Sequence, residues 1–269
     1  MELVSTPSPF ELLAFYIEAG VDESIGTEAI NRFQLVAPPP PAVTAAPSKP
    51  LPASPTPILQ TPSALSQTTS QLAAACSTLA ELRQALESFD GLQIKQSAMN
   101  MVFSDGNPQA PIMLIGEAPG HEEDVQGLPF VGKSGKMLDR MLASIDIRRT
   151  DNAYITNVLP WRPVENRTPS LEEIAVCRPF LMRHIQLVAP KILVLLGGVP
   201  ASTVLETSTG ITRLRGQWHE LTLPGCAPIP TIATFHPSYL LRTPAGKRMA
   251  WRDLLEVKKR LEPQKDHRT

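Results

Sequence analysis

From residue 68 to residue 261 the apolar positions follow two periods, and the switches between them mark out elements. Leu72, Ala75, Leu79, Leu82, Leu86 and Phe89 recur at spacings of three and four, which predicts a helix from Thr68 that Asp90-Gly91 ends. Short continuous apolar runs then alternate with helical patterns. Ile112–Ile115 precedes a helix from Ser134 to Ile145, and Ala153–Val158 precedes a helix from Ser170 to Leu187. Lys191–Leu196 precedes a helix from Pro200. A connection or hairpin around Leu214–Leu223 leads into Ile229–Phe235, and a last helix runs from Lys247 to Leu261. Strands alternating with helices predict a three-layer α/β/α fold around a central parallel four-stranded sheet.

The first third of the chain reads differently. Ser8-Pro9-Phe10-Glu11 predicts a helix start, with Ser8 as cap, Pro9 in the first turn and Glu11 completing a capping box. Phe10, Leu12, Leu13, Tyr16 and Ile17 form its apolar stripe, and Gly20 ends it. A helix this short is marginal alone, so it is expected to dock on its own domain or on a protein partner. Ten of the 28 prolines fall between Pro38 and Pro62, a density that excludes helix and interior strand. The expected organisation is a helical segment at 1–34, a flexible polyproline-II-rich linker at 35–66, and one large domain at 67–269.

The formal net charge is −1. Up to Ala75 there are six acids and two bases; subtracted from 26 and 25, these leave 20 acids against 23 bases in the remainder. That mild basicity is compatible with DNA without requiring it. Cys76, Cys177 and Cys226 are sparse and odd in number, with no CxxC, which argues against a disulfide framework and for a reducing compartment. No apolar stretch reaches membrane-spanning length, and no basic start followed by an apolar core marks a secretory leader. A cytoplasmic location, the bacterial cytosol and nucleoid, is expected, with no membrane association.

Candidate chemistry sits at the ends of the expected strands, where open α/β sheets bind ligands. Gly116-Glu117-Ala118-Pro119-Gly120 follows the first apolar run and continues through Glu122, Glu123 and Asp124 to Gly127-Leu128-Pro129-Phe130-Val131-Gly132. The glycines permit close backbone approach. No GK[ST] follows and GxGxxG is absent, so neither a P-loop nor a dinucleotide fingerprint fits. Acids near a helix start favour its dipole, which accounts for Glu122 but not for Glu117, too close to the strand end. Phe130, between Gly and Pro breakers, suits stacking on a flat ligand as well as core packing. Asn157 closes Tyr154-Ile155-Thr156-Asn157 with a donor and an acceptor, suited to a nucleobase edge or to starting a turn. Trp161-Arg162-Pro163-Val164-Glu165-Asn166-Arg167 offers arginines for phosphate contact or plain solvation. His236-Pro237-Ser238-Tyr239-Leu240-Leu241-Arg242 ends the last strand with an imidazole and an apolar triplet that reads as an exposed wedge. Arg242, Lys247, Arg248 and Arg252 add positive charge beside it.

In order and spacing these segments closely resemble the family 4 uracil-DNA glycosylases, from Ala98 to about Leu261, including Asn100-Met101-Val102-Phe103 and Asp105-Gly106-Asn107-Pro108. The resemblance implies a monomeric enzyme, a hydrolase of N-glycosyl bonds, that flips uracil out of DNA and leaves an abasic site for base excision repair. It implies Glu117 beside the hydrolytic water and His236 stabilising charge at uracil O2. Gly116, Phe130, Asn157 and Glu123 would contact uracil, Glu123 near C5. Arg162, Asn166, Arg167, Tyr239, Leu240 and Arg242 would meet the DNA. Many relatives hold a 4Fe–4S cluster on four cysteines; the matching positions here are Phe89, Leu92, Trp161 and Cys177. One thiolate cannot replace four, so no cluster, metal or other cofactor is expected. Relatives that trap DNA covalently use a His that the stretch 162–168 lacks, so ordinary turnover is expected. Two alternatives stay open: a non-catalytic DNA-binding scaffold that kept the fold, and a glycosylase for hypoxanthine or xanthine.

Overall fold

The apolar runs become the inner strands of one sheet, and their alternation feeds two separate cores. The computed structural model describes residues 64–261. The helix expected from Ser8 and the linker up to residue 63 lie outside the described residues. In chain order the elements are α1 (Ala64–Ala75), α2 (Leu79–Ser88), α3 (Ile94–Ser97), β1 (Asp105–Gly106), β2 (Ile112–Gly116), α4 (His121–Gln126), α5 (Lys133–Ala143), α6 (Arg149–Asn152) and β3 (Ala153–Asn157). After a 3₁₀ turn at Val164–Asn166 come α7 (Leu171–Val188), β4 (Ile192–Leu196), α8 (Gly198–Leu205), α9 (Ile211–Leu214), β5 (Trp218–Leu221), β6 (Ile229–Thr234), α10 (Pro237–Arg242) and α11 (Lys247–Leu261).

The strand order is β1-β3-β2-β4-β6-β5. The four inner strands are parallel, as the alternation predicts. Two short antiparallel strands, β1 on β3 and β5 on β6, extend the sheet at its edges. Period-two alternation sends Met113, Ile115, Leu193 and Leu195 into one core with α2 and α7. Ile112, Leu114, Ile192 and Val194 enter the other core with α5 and α11. Two buried faces make three layers.

One expected helix is two. The apolar spacing runs on from Leu72 to Phe89, but the chain breaks at Cys76–Thr78. Thr78 caps α2 by accepting from the Glu81 amide at 3.1 Å, while Glu81 accepts from the Ser77 amide at 2.6 Å. This local side-chain capping outcompetes continued helix. The first of the two begins at Ala64, so positions 64–66 are helical rather than linker. Among the described residues no helix is long and apolar enough to cross a membrane.

From β2 the chain steps to β3 on one side and then crosses to β4 on the other. This reversal leaves a crevice at the carboxyl ends of the parallel strands. Register brings Gly116 opposite Asn157 and Leu196 opposite Thr234, so the residues after each strand emerge at one level.

Candidate active site

A cleft of about 730 Å³ opens at these strand ends. Glu117 enters it after β2, Asn157 ends β3, Gly197 follows β4 and His236 follows β6. Phe130 arrives from the loop between α4 and α5. An acid, an aromatic ring, an amide and an imidazole from four distant stretches therefore line one cavity.

Phe130 is 6% exposed, and its ring lies 5.6 Å from that of His236, tilted by 33°. Gly116, buried at the end of β2, lies against the Phe130 ring and does not itself line the cleft. A Cβ on Gly116 would stand 2.6 Å from the Phe130 ring and 2.3 Å from Asn157 Oδ1, so only glycine lets both approach. Asn157 is 5% exposed, and its Oδ1 has no hydrogen-bond partner. A buried acceptor left unpaired costs about 1–3 kcal/mol, so it calls for a donor. Burial raises the Glu117 carboxyl above its ordinary value.

His236 caps α10. Its Nδ1 accepts from the Ser238 amide at 3.1 Å and lies 2.8 Å from Ser238 Oγ. With Nδ1 accepting, the ring proton sits on Nε2, leaving an N–H donor. Burial and the nearby Arg242 lower the pKa to about 4, against the raising influence of Glu123. At neutral pH this is an uncharged donor. A Cβ on Gly197 would come 3.2 Å from His236 Cβ, so β4 packs directly behind the imidazole.

The Glu123 carboxylate lines the cleft but is already engaged. It accepts from the Gly120 amide at 3.1 Å, from Val131 at 3.0 Å and from Gly132 at 2.9 Å. It ties the two glycine loops together as the third residue of α4, where acids are favoured. Asp124 is 1% exposed and accepts from the Met99 and Asn100 amides.

Of the residues expected at DNA, Asn166, Arg167, Tyr239 and Arg242 line the cleft. Arg162 stands beside it, donating to Asn166 at 2.8 Å and lying 3.1 Å from His121 Nδ1. Arg167 is paired with Glu173 at 2.6 Å. Leu240 corrects the expected wedge: it is 0% exposed and packs in the α5–α11 core. The phase of α10 turns Leu240 inward and Leu241, 45% exposed, outward.

The sequence reading overlooked Ser238, which fixes the imidazole tautomer, and Gly197-Gly198, which the apolar run before them marked as a strand-end turn. The four positions matching cluster ligands, Phe89, Leu92, Trp161 and Cys177, are all buried in one apolar core. Burial pushes the Cys177 thiol well up, which disfavours a thiolate. Among the described residues no group of three or more His, Cys, Asp or Glu is arranged to hold a metal.

A parallel α/β/α sheet carrying an aromatic ring, an amide and a neutral imidazole at its carboxyl ends is the frame of an enzyme that encloses a flat polar ring. A family model described as the uracil DNA glycosylase superfamily matches residues 103–255, and the chain belongs to that superfamily. The chain is similar to a type-4 uracil-DNA glycosylase of Archaeoglobus fulgidus, 38% identical over 62% of this chain and 85% of the relative. It is similar to one of Thermotoga maritima, 41% identical over 59% of this chain and 82% of the relative. A third, of Sulfurisphaera tokodaii, is 34% identical over 67% of this chain and 84% of the relative.

Proposed function

We propose that this chain is a uracil-DNA glycosylase that excises uracil from DNA, leaving an abasic site. One observation carries the reading: Glu117, Phe130, Asn157 and His236 converge in one cleft. Uracil leaves the base stack at a cost of a few kcal/mol, and stacking on Phe130 offsets part of it. Asn157 Oδ1, buried and unpaired, accepts from the pyrimidine N3–H. As the N-glycosidic bond breaks, its electron pair leaves with the base and charges O2. Neutral His236 donates its Nε2–H to that oxygen. Glu117 orients water toward the anomeric carbon; the water oxygen bonds there while its proton passes to the carboxylate. Glu123 acts through the loops it ties, with no spare carboxylate oxygen required for the base.

Arg162, Asn166, Arg167 and Arg242 serve the phosphates, and Tyr239 with Leu241 serves the wedge. The donor set at Phe89, Leu92, Trp161 and Cys177 does not fit a four-thiolate cluster, and we read these positions as core in its place. The domain opens with α1 at Ala64 and acts as a monomer in the bacterial cytosol, with the segment before it left for a protein partner.

The test is alkali-dependent cleavage of an oligonucleotide containing one uracil, single- and double-stranded. Cleavage is expected; DNA binding without cleavage would favour the scaffold. Preferred release of hypoxanthine or xanthine from competing oligonucleotides would shift the substrate.

A further inference from the structure

Phe130 holds a left-handed backbone conformation, φ +54°. Such a conformation persists in a bulky residue only where its surroundings over-determine it. The surroundings here centre on Arg149, the first residue of α6, whose side chain is 14% exposed. Its Nη1 donates to the Pro129 carbonyl at 2.7 Å and to Asp105 Oδ2 at 2.9 Å. Its Nη2 donates to the Phe130 carbonyl at 2.7 Å and to Asp139 Oδ1 at 2.9 Å, and Nε reaches the same oxygen at 3.2 Å. A guanidinium has five N–H donors, and all five are engaged.

The two carbonyls belong to the peptides before and after Phe130, so one planar fork fixes both of its backbone dihedrals. The second peptide is also gripped from the opposite side, where Glu123 accepts from the Val131 amide. Helix α5 closes the remaining space: a Cβ on Gly135 would lie 1.8 Å from the Phe130 oxygen. Asp105 and Asp139 hold the guanidinium in place, and Asp105 is itself oriented by the Gly106 amide at 2.8 Å. Arg149 does not line the cleft.

We propose that Arg149 is a positioning residue for base recognition, clamping the Phe130 loop so that the ring is presented to the extruded base. The proposal rests on the glycosylase reading. A lysine cannot replace it, because an ammonium is a point charge where the site needs a planar fork.

The experiment is a double-mutant cycle of Arg149→Met and Phe130→Ala, read as single-turnover uracil excision at saturating enzyme and as affinity for uracil-free DNA. Wild-type excision is measured first; its absence would sink the glycosylase reading, not the clamp. Arg149→Met is expected to slow excision by about 5- to 100-fold, roughly the worth of one base–aromatic stack. Binding to uracil-free DNA should stay within about two-fold, a split that general unfolding would not give. In the Phe130→Ala background the same change should cost less than about two-fold, since the ring it positions is gone. Multiplicative losses, or a wild-type rate for Arg149→Lys, would overturn the proposal. Should Arg149→Met fail to fold, Arg149→Lys carries the same cycle.

Discussion

Removing the imidazole at position 236 tests how the departing base is stabilised. The Ser238 amide occupies Nδ1, so the group lost in His236→Ala is one N–H donor held in a mostly buried site. Loss of one such preorganised donor costs about 3–4 kcal/mol in the transition state, or roughly 10²- to 10³-fold in excision rate. The pKa of about 4 sharpens the test. At pH 7 roughly one molecule in a thousand carries the imidazolium. A mechanism needing that cation would speed up about tenfold per pH unit on acidification, whereas a neutral donor gives no such rise. The same pKa bears on folding. The folded value lies below the ordinary 6.5, so the neutral imidazole's contribution to stability is present above pH 6.5 and is lost as pH falls through about 4. Charging His236 in the folded chain costs about 3 kcal/mol more than in the unfolded one. His236→Ala should therefore narrow the acid-induced fall in Tm between pH 6.5 and 4 while abolishing fast excision. The assays are single-turnover cleavage from pH 4.5 to 8 and thermal melts of both proteins. Acid-activated excision in the wild type, or a His236→Ala rate within three-fold of it, would refute the neutral-donor argument.

Glu117 is expected to set the acid limb instead. Its carboxyl is raised by burial, so excision should decline as pH drops through a value above the ordinary 4.5, and Glu117→Gln should flatten that limb while lowering the plateau. Asn157→Asp converts the unpaired acceptor into a carboxylic group that accepts or donates; competing cytosine and uracil oligonucleotides should show discrimination reduced by about tenfold or more. Cys177→Ala, at a buried thiol, is expected to cost about 1 kcal/mol in chemical denaturation and to leave excision within two-fold. Stoichiometric iron in the tag-free wild type, lost in that variant, would contradict the reading of a cluster-free core.

Much of the fold was legible because the inner strands are buried on both faces. Ile112–Ile115 and Ile192–Leu196 read as continuous apolar runs, and only a strand covered on two sides needs that. The edge strands left less trace: β1 has two residues and β5 four, with intermediate and exposed positions. Glu117, Asn157 and His236 were legible as candidates for the same topological reason, since each ends or follows a strand whose end the sheet aligns, whereas Phe130 comes from a loop between helices. Leu240 was misread because three apolar neighbours in one turn do not reveal their own phase. That phase follows from where His236 starts the helix.

Arg149 escaped for a deeper reason. Its partners lie 10, 19, 20 and 44 residues away, at Asp139, Phe130, Pro129 and Asp105. No local period encodes such a set; it exists only once the sheet has brought β1 and the Phe130 loop beside α6. The strain at Phe130 gives that set its purpose. A left-handed phenylalanine is disfavoured by its own backbone, so groups that act on the two flanking peptides matter to the ring's place as well as those that touch the ring. Sequence periodicity reports what a residue buries. It does not report which distant side chain holds a neighbouring backbone in place, and here that hold, on the proposed reading, is what presents the aromatic face to the base.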